Sequence, residues 1–503
     1  MEFEAWQFIR LFFDDDAIRF ADAKPDAEDF TPGFLLTVKV EENNTEWICT
    51  ASFFNELKSY ESFQQAWNHE TAPLYSSCRK VSHEELRRPG GSLFKSRKIV
   101  VGSCICDILS QFTGKDLPYG ALIGVRPVKL AMQCINDGLD KAGTVKQLMK
   151  VTGMNESKAA LLHDVAAVEK PYLNADPKTL HLYIGIPFCA SRCLYCSFTA
   201  YPIAKYQALV PDYLKALEKE MEYVSQWVHK NSYTIGSVYI GGGTPTAIDE
   251  KALAMLIDAL QSSFDIAGKE FTIEAGRPDT ISREKLEVMY SRHVSRISIN
   301  PQTMNQKTLR LIGRNHTPED IENKFRLARL VGFDNINMDI IAGLPEEDEE
   351  MFRNTLEQIE NMAPDSLTVH TMALKRASRL HEDLTSYQPS ADKIVETMIE
   401  EARNLASKMG MRPYYLYRQK NILANLENTG YAKPGYECLY NIHTMEEEQT
   451  IIAMGAGASS KFVFPHQKRL ERVFNLKDVT QYIDRIGEML ERKKKLFELY
   501  DSQ

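Results

Sequence analysis

Three cysteines carry the most chemical information in this chain. Cys189, Cys193 and Cys196 stand in the stretch 181–198, HLYIGIPFCASRCLYCSF, at a C-x3-C-x2-C spacing that belongs on one tight loop. Thiolates are soft ligands that suit iron–sulfur clusters and zinc. An electron-carrying 4Fe-4S cluster normally takes four cysteines. Three close together, with no fourth nearby, would leave one iron open to a small molecule, much as a catalytic zinc keeps an open position. A zinc site missing a local ligand, or three unrelated thiols, are the plainer readings of the same residues. The strand-like run from Tyr183 to Phe188 leads straight into the cysteines, and Tyr195 sits beside the last of them.

The elements that must position this loop alternate in type. Strand-like runs at 181–186, 237–240, 270–275, 295–300, 335–341 and 366–371 are separated by helical patterns at 211–230, 250–264, 283–292, 318–331 and 347–362. That alternation predicts an α/β fold with a parallel sheet. In parallel α/β folds functional groups lie at the carboxyl ends of the strands. The cysteines follow the first run, and Gly241, Gly242, Gly243, Thr244 and Pro245 follow the second. The third ends with Glu274, the fourth runs into Gln302, the fifth carries Asp339 and the sixth His370. Polar groups therefore converge on one rim. Glycines let backbone approach a ligand closely, although three after a strand also make an ordinary turn. Glu274 is an acceptor-only carboxylate suited to hydroxyl donors, or else a strand-end surface acid. Asp339 reads either as a site carboxylate or as a buried acid capping the next loop.

At 503 residues the chain is expected to hold two or three domains. The pattern divides it into an N-terminal α+β accessory region (1–176), a core (177–410) and a C-terminal substrate-side α+β extension (411–503). In the first region, 33–40 and 47–53 predict a hairpin, Arg87–Gly91 a break, and 96–150 a helical stretch interrupted by a shaped loop at 117–130. Cys104 and Cys106 lack partners at metal spacing and read as small buried apolar residues. A long helix at 391–409, a tyrosine-rich segment at 414–440, a strand at 450–454 and an amphipathic helix at 478–499 complete the pattern. The net charge of −9 argues against nucleic-acid binding as the main business. No apolar run approaches the length of a membrane span, and the acidic N-terminus is unlike a signal peptide. Nine irregularly spaced cysteines fit reduced thiols, so the chain is expected in the cytoplasm.

The cysteine stretch and the residues on the rim resemble the radical S-adenosylmethionine (radical SAM) superfamily. Segments 117–130 (LPYGALIGVRPVKL) and 415–441 (YLYRQKNILANLENTGYAKPGYECLYN) resemble its HemZ-type coproporphyrinogen dehydrogenases. The resemblance implies a partial (β/α)6 barrel and a 4Fe-4S cluster on Cys189, Cys193 and Cys196. It implies SAM held by Gly242, Gly243 and Thr244 at its amino group, by Glu274 at its ribose and by Arg314 at its carboxylate. Gln302, in an R-x-S-x-x-x-Q pattern with Arg296 and Ser298, and Asp339 would complete that site, and Tyr183 matches a catalytic tyrosine beside the cluster. The implied reaction is the oxygen-independent oxidative decarboxylation of coproporphyrinogen III to protoporphyrinogen IX, with an electron donor and an acceptor still to be identified.

Two departures from the family pattern stand out. Gly185 occupies the place of a histidine, and Phe198 that of a fourth cysteine, both linked to a second SAM. Haem chaperones of the same superfamily share an aromatic at the second place. They also carry H-N-x-x-Y-W, where this chain has Tyr440, Asn441, Ile442, His443, Thr444 and Met445. A haem-binding or haem-delivery relative, and another radical SAM reaction on a tetrapyrrole, are the alternatives. For a substrate with four propionates the expected basic contacts are Arg192, Lys375, Arg376, Arg412 and Arg418, with the nearby tyrosines against the macrocycle.

Overall fold

The computed structural model describes residues 2–13, 15–21, 26–27, 33–83, 93–173, 176–198, 200–373, 391–464, 467 and 469–502. The chain forms two compact units, residues 1–163 and 164–503. In the first, β1 (Gly33–Glu42), β2 (Glu46–Leu57) and β3 (Tyr75–Ser82) make an antiparallel sheet in that order. The β1–β2 turn closes on Asn43, whose Oδ1 accepts from the backbone N–H groups of Thr45 (2.9 Å) and Glu46 (2.7 Å). The helix Leu93–Thr113 contributes Cys104, Ile105 and Ile108 to a core shared with Cys49, Ala51 and Phe53 of β2. Cys104 and Cys106 are buried there. Arg87–Gly91 lies outside the described residues.

The second unit is built on the expected parallel strands. β4 (Thr179–Ile186) runs into the short β5 (Phe188–Cys189), which pairs with β6 (Tyr201–Pro202). β7 (Thr234–Gly242), β8 (Glu270–Gly276), β9 (Arg296–Ile299), β10 (Ile336–Ala342) and β11 (Ser366–Thr371) follow β4 in one ladder, all parallel and in chain order. Between them lie the helices Val210–Lys230, Glu250–Ser263, Arg283–Ser291, Pro318–Val331 and Glu349–Met362. Asp249, Ser282, Thr317 and Asp348 fix four of the helix starts, each side chain accepting from an N–H of the first turn.

Strand periodicity divides the residues between two faces. Leu182, Ile184, Val238, Ile240, Phe271, Ile273, Ile297, Met338, Ile340 and Leu367 join the large core that the helices cover. Their neighbours in sequence, including Tyr183, Tyr239, Glu274, Ser298, Asp339 and His370, share the opposite face.

The residues expected as a C-terminal extension, 411–503, extend this sheet at both edges. β12 (Arg412–Tyr417) and β13 (Asn428–Ala432) extend it beyond β11, while β14 (Ile451–Met454) pairs parallel with β4 and carries β15 (Ser459–Phe464) and β16 (Arg469–Phe474). The physical reason is the edge: without β13 and β14, the outer ladder groups of β11 and β4 would be unpaired. Among the described residues no ladder joins β12 to β16, so the sheet stays open. The tail is two helices, Val479–Asp484 and Ile486–Asp501. It is pinned by Lys493, which pairs with the buried Glu220. No helix of the described residues is long and apolar enough to cross a membrane.

Candidate functional site

The cysteine loop is held by its neighbours rather than by itself. Gly243 N–H donates to Ile186 O and Thr244 N–H to Phe188 O, both at 2.7 Å, so the loop after β7 is laced to the strand carrying Cys189. On the other side Leu194 N–H donates to Ile312 O (3.0 Å), and Ser191 Oγ to Gly313 O (3.0 Å). Cys189 and Cys193 are buried and Cys196 half-buried. Burial pushes the Cys189 thiol up to about 11. The Thr244 hydroxyl, 3.5 Å from its sulfur, pulls the other way, and Cys196 and Cys193 add to the rise. Among the described residues no three His, Cys, Asp or Glu side chains converge on a point fit for one metal ion. A cubane cluster asks for something different, one thiolate at each of three corners.

The glycine triplet is required by packing. A Cβ on Gly243 would stand 2.5 Å from Phe188 O and 2.9 Å from Cys189 Sγ. A Cβ on Gly241 would meet the Glu274 carboxyl at 3.1 Å, and Gly242 has φ +108°. These three positions thus bring backbone against both the cysteine strand and the acid on β8.

Glu274 accepts a hydrogen bond from the Tyr239 hydroxyl. Burial pushes its carboxyl up to about 7, against the pull of Tyr239, with Asp339 adding to the rise. Asp339 is also buried, which raises it. The His370 and Asn337 side chains outweigh that and hold it below the ordinary value. Asn337 Nδ2 donates to Asp339 Oδ1 at 2.7 Å, and His370 Nε2 lies 3.7 Å from Oδ2. Gln302 has φ +68° and exchanges backbone hydrogen bonds with Asp339 O and Ile341 N, both at 2.9 Å. Tyr183 stacks with Tyr239 (6.2 Å between centroids) and Tyr440 (5.7 Å). Its hydroxyl reaches the Gly242 backbone, since a Cβ there would meet it at 3.4 Å.

Arg314 is buried rather than solvated. It donates to Asn300 O and to Tyr195 OH (3.3 Å), and its Nε has no hydrogen-bond partner among the described residues. Asn300 Oδ1 is likewise unpartnered. Arg277 was invisible to sequence reasoning. Its buried guanidinium grips Asp279 through Nε (2.9 Å) and Nη2 (2.8 Å), and Nη1 reaches Ser191 Oγ (2.9 Å) and Cys193 Sγ (3.6 Å). The available signal was G-R-P-D directly after a strand end, where an arginine and an aspartate two residues apart share one turn.

Other expected contacts are taken up elsewhere in the fold. Arg296 sits at the start of β9, at the opposite end from Gln302, and donates to Tyr436 O (2.8 Å). Arg412 stands at the start of β12 with its charge on Glu437, 3.5 Å away. Arg418 is buried, with its guanidinium on Asn425 O (2.7 Å) and Leu426 O (3.3 Å), so it clamps a loop. Tyr414, Tyr415 and Tyr431 are buried packing residues. Lys375 and Arg376 lie outside the described residues. His443 is 3% exposed and its ring stacks on His181 with centroids 4.0 Å apart.

The cofactors implied by the resemblance fit these residues. Unpartnered buried atoms on Arg314 and Asn300 face the need of an amino acid's charged end, and Glu274 suits hydroxyl donors. Soft sulfur ligands line the adjoining loop. Comparison with known proteins agrees. The radical SAM superfamily model matches residues 183–359. The oxygen-independent coproporphyrinogen-III oxidase-like protein HemZ of Bacillus subtilis (strain 168) is 40% identical over 412 residues, covering 80% of this chain and 82% of that protein. The heme chaperone HemW of the same organism is 30% identical over 319 residues, covering 61% of this chain and 76% of its own length. Among solved structures, coproporphyrinogen III oxidase (HemN) from Escherichia coli shares the fold with a TM-score of 0.50 at 24% identity, over 64% of this chain and 72% of that one.

Proposed function

Because this chain belongs to the radical SAM superfamily and to the HemZ family within it, we propose that it decarboxylates coproporphyrinogen III to protoporphyrinogen IX without oxygen. Membership brings a 4Fe-4S cluster and SAM. Together these cofactors supply one-electron chemistry that removes a hydrogen atom from an unactivated carbon. In this reading Cys189, Cys193 and Cys196 hold the cluster. Gly242, Gly243 and Thr244 offer backbone to SAM, Gln302 offers its side chain, and the free Nε of Arg314 pairs with its carboxylate. Glu274 would accept from the ribose hydroxyls, Asp339 would face the adenosine, and Tyr183 would stand near the cluster. Each propionate that becomes a vinyl loses one hydrogen atom, one carbon dioxide and one electron. An electron donor must therefore prime the cluster, and a separate acceptor must take the last electron. Among the described residues, Arg192, between two of the cysteine ligands, is the expected basic contact that keeps a substrate-side role.

The observation that favours an enzyme over a haem carrier is the position of His443. An axial ligand needs open space for a macrocycle, whereas this ring is 3% exposed and covered by His181. Burial lowers the pKa of His443 to about 3 and that of His181 to about 4, as expected of a neutral pair packed inside the unit. The test is anaerobic incubation of reconstituted protein with coproporphyrinogen III, SAM and a reductant, followed by mass analysis of the porphyrin. A product lighter by two carbon dioxides and four hydrogens is expected. Tetrapyrrole retained by the protein at unchanged mass would favour the carrier.

A further inference from the structure

Arg277 is a buried cation whose placement exceeds what its own charge requires. The side chain is 3% exposed, and Asp279 already neutralises it through a two-pronged contact on Nε and Nη2. That fork leaves Nη1 pointing at the cysteine loop. It donates to Ser191 Oγ (2.9 Å) and Ser191 O (3.3 Å), and reaches Cys193 Sγ at 3.6 Å. The turn that aims it is well defined: Gly276 has φ +56°, Arg277 N–H closes on Ala275 O at 2.6 Å, and Pro278 fixes the exit. The loop sulfurs are therefore unequally served. Cys189 receives a neutral hydroxyl from Thr244, whereas Cys193 faces two positive charges, Arg277, which donates to it, and Arg314.

We propose that Arg277 is a positioning residue that raises the reduction potential of the cluster, acting through Cys193. This rests on Cys193 being a cluster ligand. A reduced cluster carries one more negative charge than an oxidised one, and part of it resides on the ligand sulfurs. A charge-assisted hydrogen bond to one of them stabilises the reduced form more, and hydrogen bonds and net charge are levers on such potentials. The consequence for function is a cluster that a milder electron donor can reduce. Lysine cannot reproduce the fork on Asp279 but keeps the charge, and glutamine keeps a donor without the charge.

An anaerobic redox titration followed by electron paramagnetic resonance, with iron and sulfide counts on each protein, tests this. Arg277→Gln should retain the cluster while its reduction equilibrium falls about tenfold, equivalent to about 59 mV for one electron. Arg277→Lys should shift it by less than a third of that. A fully loaded Arg277→Gln protein with the wild-type potential would overturn the proposal. If the glutamine variant loses its iron, the lysine variant decides. A loaded lysine variant whose potential falls measurably below wild type supports the proposal. A lysine variant with the wild-type potential, or loss of iron from a variant still folded by circular dichroism, assigns Arg277 to packing alone. Wild-type protein that takes up no cluster would refute the ligand assignment, a separate failure.

Discussion

Replacing Gly243 by alanine should break the cluster site without touching a ligand. The added Cβ would stand 2.5 Å from Phe188 O, 2.9 Å from Cys189 Sγ and 3.0 Å from Ile186 O, well inside the 3.4 Å at which ordinary contact begins. The two carbonyls have little freedom to retreat, because each accepts a 2.7 Å hydrogen bond from the same loop, at Gly243 N and Thr244 N. Relief must come from moving the strand that carries Cys189. Forcing extra carbon into packed surroundings costs about 1–3 kcal/mol. Gly243 is outside the left-handed region, so the effect is steric and not conformational. The assay is iron and sulfide per chain after anaerobic reconstitution, beside a thermal melt. Loss of most of the iron with a melting temperature lowered by a few degrees is expected. Gly487→Ala is the matched control, since nothing lies within 4 Å of its Cβ and it sits in the helix Ile486–Asp501. It should keep its iron and gain about 0.5–1 kcal/mol. Gly243→Ala with wild-type iron and melting would refute the reasoning.

Other outcomes follow from the same contacts. Cys189→Ala, Cys193→Ala and Cys196→Ala should each lose most of their iron, and wild-type iron in any of them removes that cysteine from the ligand set. Arg314→Ala should weaken SAM binding more than Glu274→Ala, because a charge-assisted contact contributes about 1.5–3 kcal/mol and its loss strands a carboxylate; equal dissociation constants in a direct titration would contradict this. Burial raises Glu274 to about 7, so the stability it contributes is complete below the ordinary carboxylate value and is lost as pH rises through about 7. Glu274→Gln lacks that loss and should gain in urea midpoint relative to wild type above pH 7. Lys493→Met leaves Glu220 as a buried unpaired charge, and denaturant melts should show a loss of about 3–5 kcal/mol.

The rim was legible because strand ends are punctuated in the sequence. Gly241 to Pro245, Glu274, Asp339 and the cysteines each follow an apolar run with period-two or continuous character, and those runs are β4, β7, β8 and β10. Strand direction beyond the parallel core was not legible. Arg412 is close in sequence to Tyr417, which reaches His370, yet it begins β12 and so stands at the far end of the sheet. The pairing of β13 with β11 and of β14 with β4 joins residues far apart in the chain, and short runs such as Ile451–Met454 do not announce their partner. Arg277 was hidden for a related reason. Its partner Asp279 is local, but Ser191 and Cys193 reach it only through the fold.

The most direct test of the central claim is stoichiometric. Under anaerobic turnover with coproporphyrinogen III, carbon dioxide, methionine and protoporphyrinogen IX are counted in the same reaction. Two carbon dioxides and two methionines per protoporphyrinogen are expected from wild-type protein, and none from Cys193→Ala. Methionine released without carbon dioxide, with the tetrapyrrole unchanged, would contradict the assignment of decarboxylation to this site.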